Sequence, residues 1–181
     1  MNLMIDLETL GISPKAPIIS IGACFFDKEG IYETFYVTLD TGEQMDSGKR
    51  VADSSTIKWW MSQEDAAKKV FKEDAIDTET ALQTFVEFCL NHHDKKNTKP
   101  WGNGATFDIS MLESIMSDYG ISEPWMFYNI RDLRTFKEYI YDGKDTERKG
   151  TYHNALDDAI HQAQVVIDGL NNKIINTKLE E

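Results

Sequence analysis

The chain has 181 residues, with 41% hydrophobic and 11% aromatic side chains, which suits one compact domain with a buried core and excludes whole-chain disorder. Its net charge of −12 argues against a protein that wraps long duplex DNA by neutralising many phosphates. An acidic metal enzyme gripping a few nucleotides remains open, because bound cations reverse the local sign at a carboxylate-rich site.

Leu3 to Leu7 is a short apolar run carrying acids and reads as a strand. The chain meets a charge before any hydrophobic leader forms, and its longest apolar stretch, Ile18 to Phe26, is too short to span a bilayer as a helix. That stretch reads as a second, buried strand. Lys28-Glu29-Gly30 turns the chain into a third strand over Ile31 to Leu39, and Asp40 to Asp53 reads as a loop. Ser54 is a candidate cap for a helix through Trp59, Trp60 and Met61, and Asp77 or Thr78 for a helix carrying Leu82, Phe85, Val86 and Cys89. His92-His93-Asp94 ends that helix and reads as a complement to its dipole rather than a metal site. Pro100-Trp101-Gly102-Asn103 predicts a short strand ending in a glycine turn, followed by a helix from Asp108 to Tyr119 that Gly120 stops. Phe127 to Ile130 reads as a strand, Asp132 to Tyr141 as a helix, Asp142 to Thr151 as a charged loop, and Ala155 to Leu170 as a final helix before a polar tail. The pattern predicts one α/β domain over residues 1–175 and a tail over 176–181, with antiparallel early strands, parallel later strands and flanking helices. Cys24 and Cys89 sit in apolar contexts without Cys-x-x-Cys spacing, so neither a disulfide framework nor a thiolate metal site is expected, and a reducing cytoplasm is.

The acids carry the chemistry. Asp6 and Glu8 are two apart on a strand and share a face. Side by side they repel, and burial worsens the repulsion. A solvated strand would tolerate the pair; a bound cation would resolve the conflict. Asp108 shares a helix face with Leu112, Ile115 and Tyr119, so it points inward, either to stabilise the helix start or to join a site. On the last helix Asp157 lies on a polar stripe with His161, Gln164 and Asp168, expected to be solvated. Asp158 falls toward Ala155 and Gln162, which makes it the better ligand candidate, and His153 precedes the helix in a glycine-bearing loop.

Taken together, Asp6-Leu7-Glu8-Thr9-Leu10-Gly11, Ile18-Ile19-Ser20-Ile21-Gly22-Ala23, Thr56-Ile57-Lys58-Trp59-Trp60, Trp101 through Asp108, Arg131-Asp132-Leu133-Arg134-Thr135 and His153 through Asp158 resemble the DEDDh (DnaQ-like) 3′–5′ exonucleases. The likeness is to the subgroup of bacteriophage exonucleases and actinobacterial 3′–5′ exoribonucleases, and it runs from about residue 3 to about residue 170. It implies a ribonuclease H-like fold and a metal-dependent 3′–5′ exonuclease. Asp6, Glu8, Asp108 and Asp158 would hold two Mg²⁺ or Mn²⁺ ions, His153 would be the general base, and nucleoside 5′-monophosphates would be released. Substrates would be single-stranded DNA or RNA 3′ ends and short oligonucleotides, in the cytoplasm of a bacterium or a phage-infected host. A homodimer is a further implication. Thr9, Leu10, Gly11, Asn103 and one of the tryptophans, Trp60 foremost, are the candidate substrate contacts; packing of both tryptophans is the plainer reading. Arg131 and Arg134 could reach phosphates or pair with acids, and Lys144, Arg148 and Lys149 could guide phosphate or form a solvated loop. Two other functions compete: a non-catalytic binding module on the same scaffold, and a phosphodiesterase for small signalling nucleotides.

Overall fold

The computed structural model describes residues 1–179, with side chains described through residue 172. Of the tail expected over 176–181, residues 180 and 181 therefore lie outside the described residues.

Among the described residues, five strands form one mixed sheet in the order β3-β2-β1-β4-β5. They are β1 (Asn2–Thr9), β2 (Ile18–Phe26), β3 (Ile31–Thr38), β4 (Lys99–Gly102) and β5 (Arg131–Asp132). β1 pairs antiparallel with β2, which pairs antiparallel with β3; β1–β4 and β4–β5 are parallel. This is the expected division between early and late strands. All nine residues of β2 are buried, as a strand covered on both faces must be.

Among the described residues, six α-helices flank the sheet: α1 (Thr41–Asp46), α2 (Ser54–Ser62), α3 (Thr78–His92), α4 (Asp108–Asp118), α5 (Leu133–Tyr139) and α6 (Ala155–Leu179). Alternation along β1 sorts the two layers. Leu3, Ile5 and Leu7 pack with Leu82 and Phe85 of α3 and Ile109, Leu112 and Ile115 of α4. Met4 packs on the opposite face with Leu133 and Phe136 of α5 and Ala159, Ala163 and Val166 of α6. Asp6 and Glu8 share the parity of Met4 and so face the α6 layer.

The start of α6 lies directly on β2. A Cβ at Gly22 would fall 2.1 Å from the carbonyl carbon of Ala155 and 2.2 Å from the nitrogen of Leu156. Only glycine permits that approach, and Gly22 is the register partner of Asp6. The helix that carries Asp158 is therefore seated beside the first acid of β1.

Three sequence expectations change. The segment read as a loop after β3 contains α1. The Asp40 carboxylate accepts the Glu43 N–H at 3.0 Å, and the buried Gln44 amide bonds both the N–H and the carbonyl of Ile18 at 2.9 Å. A polar residue is buried there because it completes the backbone at the start of β2. The strand expected over Phe127 to Ile130 is a 3₁₀ turn, Phe127–Asn129, with pairing delayed to Arg131–Asp132. Aromatic β propensity misled the reading; the Asn129 side chain donates to the Lys96 carbonyl at 2.8 Å and holds the turn. The last helix extends past Leu170 to Leu179. Cys24 and Cys89 are free and buried in opposite layers.

Candidate active site

β1 and β4 run parallel and side by side, so their C-terminal ends open at the same sheet edge. β1 brings Asp6 and Glu8 to that edge. β4 leads through a glycine turn into α4, whose first residue is Asp108. α6 crosses the same edge and adds Asp158, with His153 just before it. These five residues line one cleft of about 650 Å³, with Thr9, Gly11, Ile12, Trp59, Asn103, Phe107, Arg134 and Gln162 among the other walls. The volume lies within the usual range for small-ligand sites.

Glu8, His153 and Asp158 each offer a ligand atom within 4.8 Å of the other two. Asp6 accepts the Gln162 side-chain N–H at 2.6 Å, a bond that ties the first strand to the last helix. Burial is the main cause that raises the Asp6 carboxyl well above its ordinary range, followed by Asp108, Glu8 and Asp158. Glu8 is pushed up to about 8, by burial first and then by Asp158 and Asp108. Burial lifts Asp108 to about 7, opposed by the N–H groups of Leu7 and Asn103 and by the Arg134 charge. Crowded, buried acids of this kind are unfavourable unless a cation or protons neutralise them. Carboxylate oxygens are hard donors, so the set fits divalent Mg²⁺ or Mn²⁺.

One cation is already drawn in. The Arg148 guanidinium bonds Asp158 Oδ1 and lies 3.9 Å from the centre of the Tyr152 ring. The loop that carries Arg148 is anchored rather than freely solvated: Thr146 donates to Asp168 at 2.7 Å, and the Thr151 N–H donates to Asp157 at 2.7 Å. It roofs the polar stripe of α6, which was expected to face solvent; Asp157, His161, Gln164 and Asp168 are all half-buried.

His153 has a positive φ of 61°, uncommon for a residue with a side chain, and its N–H donates to Asp158 Oδ2 at 3.0 Å. The backbone is thus held in a sparsely populated shape, with the imidazole against Trp59 at a ring separation of 4.9 Å. The paired tryptophans divide. Trp60 joins the core at 3% exposure, gives its indole N–H to the Thr9 carbonyl at 2.9 Å, and still lines the cleft. Trp59 is 41% exposed and lines the cleft too. Consecutive helical residues point about 100° apart, so one had to turn inward; sequence could not say which.

Thr9, Gly11 and Asn103 line the cleft, as expected. Leu10 does not. Its side chain packs with Ile19, Trp60, Ala67 and Val70, and its N–H is spent on the Pro17 carbonyl at 2.9 Å. Asp53 pins this segment by accepting the Ile12 N–H at 3.1 Å, and its side chain makes no cap bond to α2. Sequence reading missed the hold of Gln162 on Asp6, although its position four residues after Asp158 was a usable signal.

Residues 1–169 match the family described as the 3′–5′ exoribonuclease Rv2179c-like domain. The chain belongs to that family. It is a 3′–5′ exonuclease whose substrate is nucleic acid. An exodeoxyribonuclease of Enterobacteria phage T4 is 28% identical over 157 residues, covering 74% of this chain and 69% of the phage protein. The nuclease domain of 3′hExo, a DEDDh family member bound to rAMP, superposes with a TM-score of 0.61 at 16% identity, over 94% of this chain and 92% of that one. The zinc-bound ExoI–ssDNA complex of E. coli gives 0.62 at 9% identity, over 95% of this chain and 40% of the longer one. These structural likenesses establish the ribonuclease H-like fold. Among the described residues, no helix is long and apolar enough to cross a membrane.

Proposed function

We propose that this exonuclease removes nucleoside 5′-monophosphates one at a time from the 3′ ends of single-stranded nucleic acid or short oligonucleotides. The observation that carries the reading is the convergence of Glu8, His153 and Asp158 within 4.8 Å in a cleft that Asp6 and Asp108 also line. Asp6, Glu8, Asp108 and Asp158 would hold two Mg²⁺ or Mn²⁺ ions. When bound, the ions supply charge that neutralises the carboxylates and stabilises the attacking and leaving oxygens of an in-line displacement.

The chain's own residues do the rest. His153 stands at the mouth of the cleft with its backbone fixed by Asp158, where its imidazole takes the proton of the attacking water. Trp59 offers a ring for the terminal base, and such stacking is worth about 1–3 kcal/mol. Thr9, Gly11 and Asn103 meet the sugar and phosphate. The small cleft and the acidic surface favour short, unpaired ends over long duplexes. Assembly as a homodimer, implied by the family resemblance, is measured by light scattering.

Matched DNA and RNA oligonucleotides, labelled at the 5′ end and incubated with Mn²⁺, test the reading. A ladder that shortens from the 3′ end is expected, and internal cuts would overturn it. His153→Ala should lower turnover by about 10²- to 10⁴-fold while Mn²⁺ still binds. Normal turnover in that variant would remove the imidazole from the mechanism.

A further inference from the structure

The chain has four arginines, Arg50, Arg131, Arg134 and Arg148. Three are engaged within the protein. Arg50 is buried against the Pro14 carbonyl and Asp118, Arg131 donates to the carbonyls of Tyr128 and Ile130, and Arg148 pairs with Asp158. Arg134 has neither an ion pair nor a side-chain hydrogen bond among the described residues, yet it lines the cleft.

Its seat is built by two fixed elements. Asp132 caps α5 by accepting the Thr135 N–H at 2.8 Å, and its other oxygen accepts the Ala105 N–H at 2.7 Å. One carboxylate thus locks the first turn of α5 to the turn that launches α4. Arg134 rests on that turn at Gly104, whose φ is +103°; a Cβ there would lie 3.3 Å from Arg134 Cζ and Nε. The guanidinium rests against backbone, its charge is felt by Asp108, and no carboxylate among the described residues accepts a bond from it, so its five donors are unspent. An unpaired, always-charged fork on the wall of an acidic nucleic-acid cleft suits a phosphate, which it can grip through two parallel bonds.

The position within the cleft selects which phosphate. Glu8, His153 and Asp158 mark the reacting centre. Trp59 of α2 and Thr9, Gly11 and Ile12 at the end of β1 line the same cleft. Arg134 belongs to the helix after β5, two strands away from β1 on the side opposite β2, and Asn103 and Phe107, which follow the intervening β4, line the cleft as well. A strand whose 3′-terminal nucleoside is held beside Trp59 leaves past Arg134. We propose that Arg134 holds the phosphodiester next to the scissile one on its 5′ side, so that the enzyme selects substrates carrying a second phosphate. The inference rests on the 3′–5′ exonuclease reading of the cleft.

The test compares three substrates: a dinucleoside monophosphate, a trinucleotide, and the same trinucleotide with the upstream linkage replaced by a neutral methylphosphonate. In the wild-type enzyme the charged trinucleotide should exceed the other two in kcat/KM by about ten- to a hundredfold, the range of a charge-assisted hydrogen bond. In Arg134→Gln the ratio of charged to neutral trinucleotide should collapse toward one, and Arg134→Lys should keep part of it. Because Arg134 is exposed, both variants should melt within about 2 °C of wild type. A charged-to-neutral ratio unchanged in Arg134→Gln would overturn the assignment. If instead the wild-type enzyme fails to shorten any of the three from the 3′ end, the exonuclease reading itself is at fault.

Discussion

Glu8 burdens the metal-free fold. Its carboxyl is pushed from 4.5 up to about 8, chiefly by burial, with Asp158 and Asp108 adding to the shift. A group with a raised folded-state pKa binds its proton more tightly in the native protein than in the unfolded chain. Stability is therefore full below the ordinary carboxylate value and falls as pH rises through about 8. At 1.36 kcal/mol per pKa unit, the burden is roughly 4 kcal/mol at about pH 8 and roughly 1 kcal/mol at about pH 5.5. Glu8→Gln removes the charge and keeps the shape, but it buries an amide at a pH-independent cost of about 2 kcal/mol, so about half of the gain at about pH 8 should survive. In a chain of this size 1 kcal/mol moves Tm by about 2–4 °C, so in EDTA the variant should melt roughly 4–8 °C above wild type at about pH 8. Near pH 5.5 the same amide cost outweighs the smaller burden, so the variant should melt roughly 2–4 °C below wild type. Added Mn²⁺ should reverse the order, because wild type gains a ligand that the variant holds poorly. Calorimetric melting of both proteins, with and without metal, reads all of this directly. A variant that melts below wild type in EDTA at pH 8, or whose gain ignores pH, would refute the crowding argument.

Two further perturbations probe how the cleft is held. Arg148→Gln removes the cation that sits on Asp158, so Mn²⁺ titrated calorimetrically without substrate should bind about three- to tenfold more tightly; equal or weaker binding would mean that the arginine does not compete with metal. Gly22→Ala drives a methyl group into the backbone of Ala155, which cannot rotate aside, and should cost about 3 kcal/mol or more, seen as a Tm lowered by at least about 6 °C. Native stability in that variant would show that α6 does not rest on β2 as described.

Much of the cleft was legible because its acids obey local periodicities. The two-residue repeat of a strand puts Asp6 and Glu8 on one face, and the helical repeat turns Asp108 inward with Leu112 and Ile115. What escaped sequence reading depends on tertiary partners. Gln44 looks like a loop residue until the free backbone of Ile18 is placed beside it. Asp157 and Asp168 look solvated until Thr151 and Thr146 arrive from the preceding loop. The choice between Trp59 and Trp60 turns on the Thr9 carbonyl, which lies 51 positions earlier in the chain. None of these partners sits within one turn of the residue it decides, so no local pattern could report them.

The bond from Gln162 to Asp6 spans 156 positions. Contacts of such long range form late, since the intervening polypeptide must be ordered before they are rewarded. A nascent chain emerging from the ribosome with only its first strands made has acids but no pocket to gather them. The capacity to cut nucleic acid thus arrives only once α6 has been made and seated against the first strand.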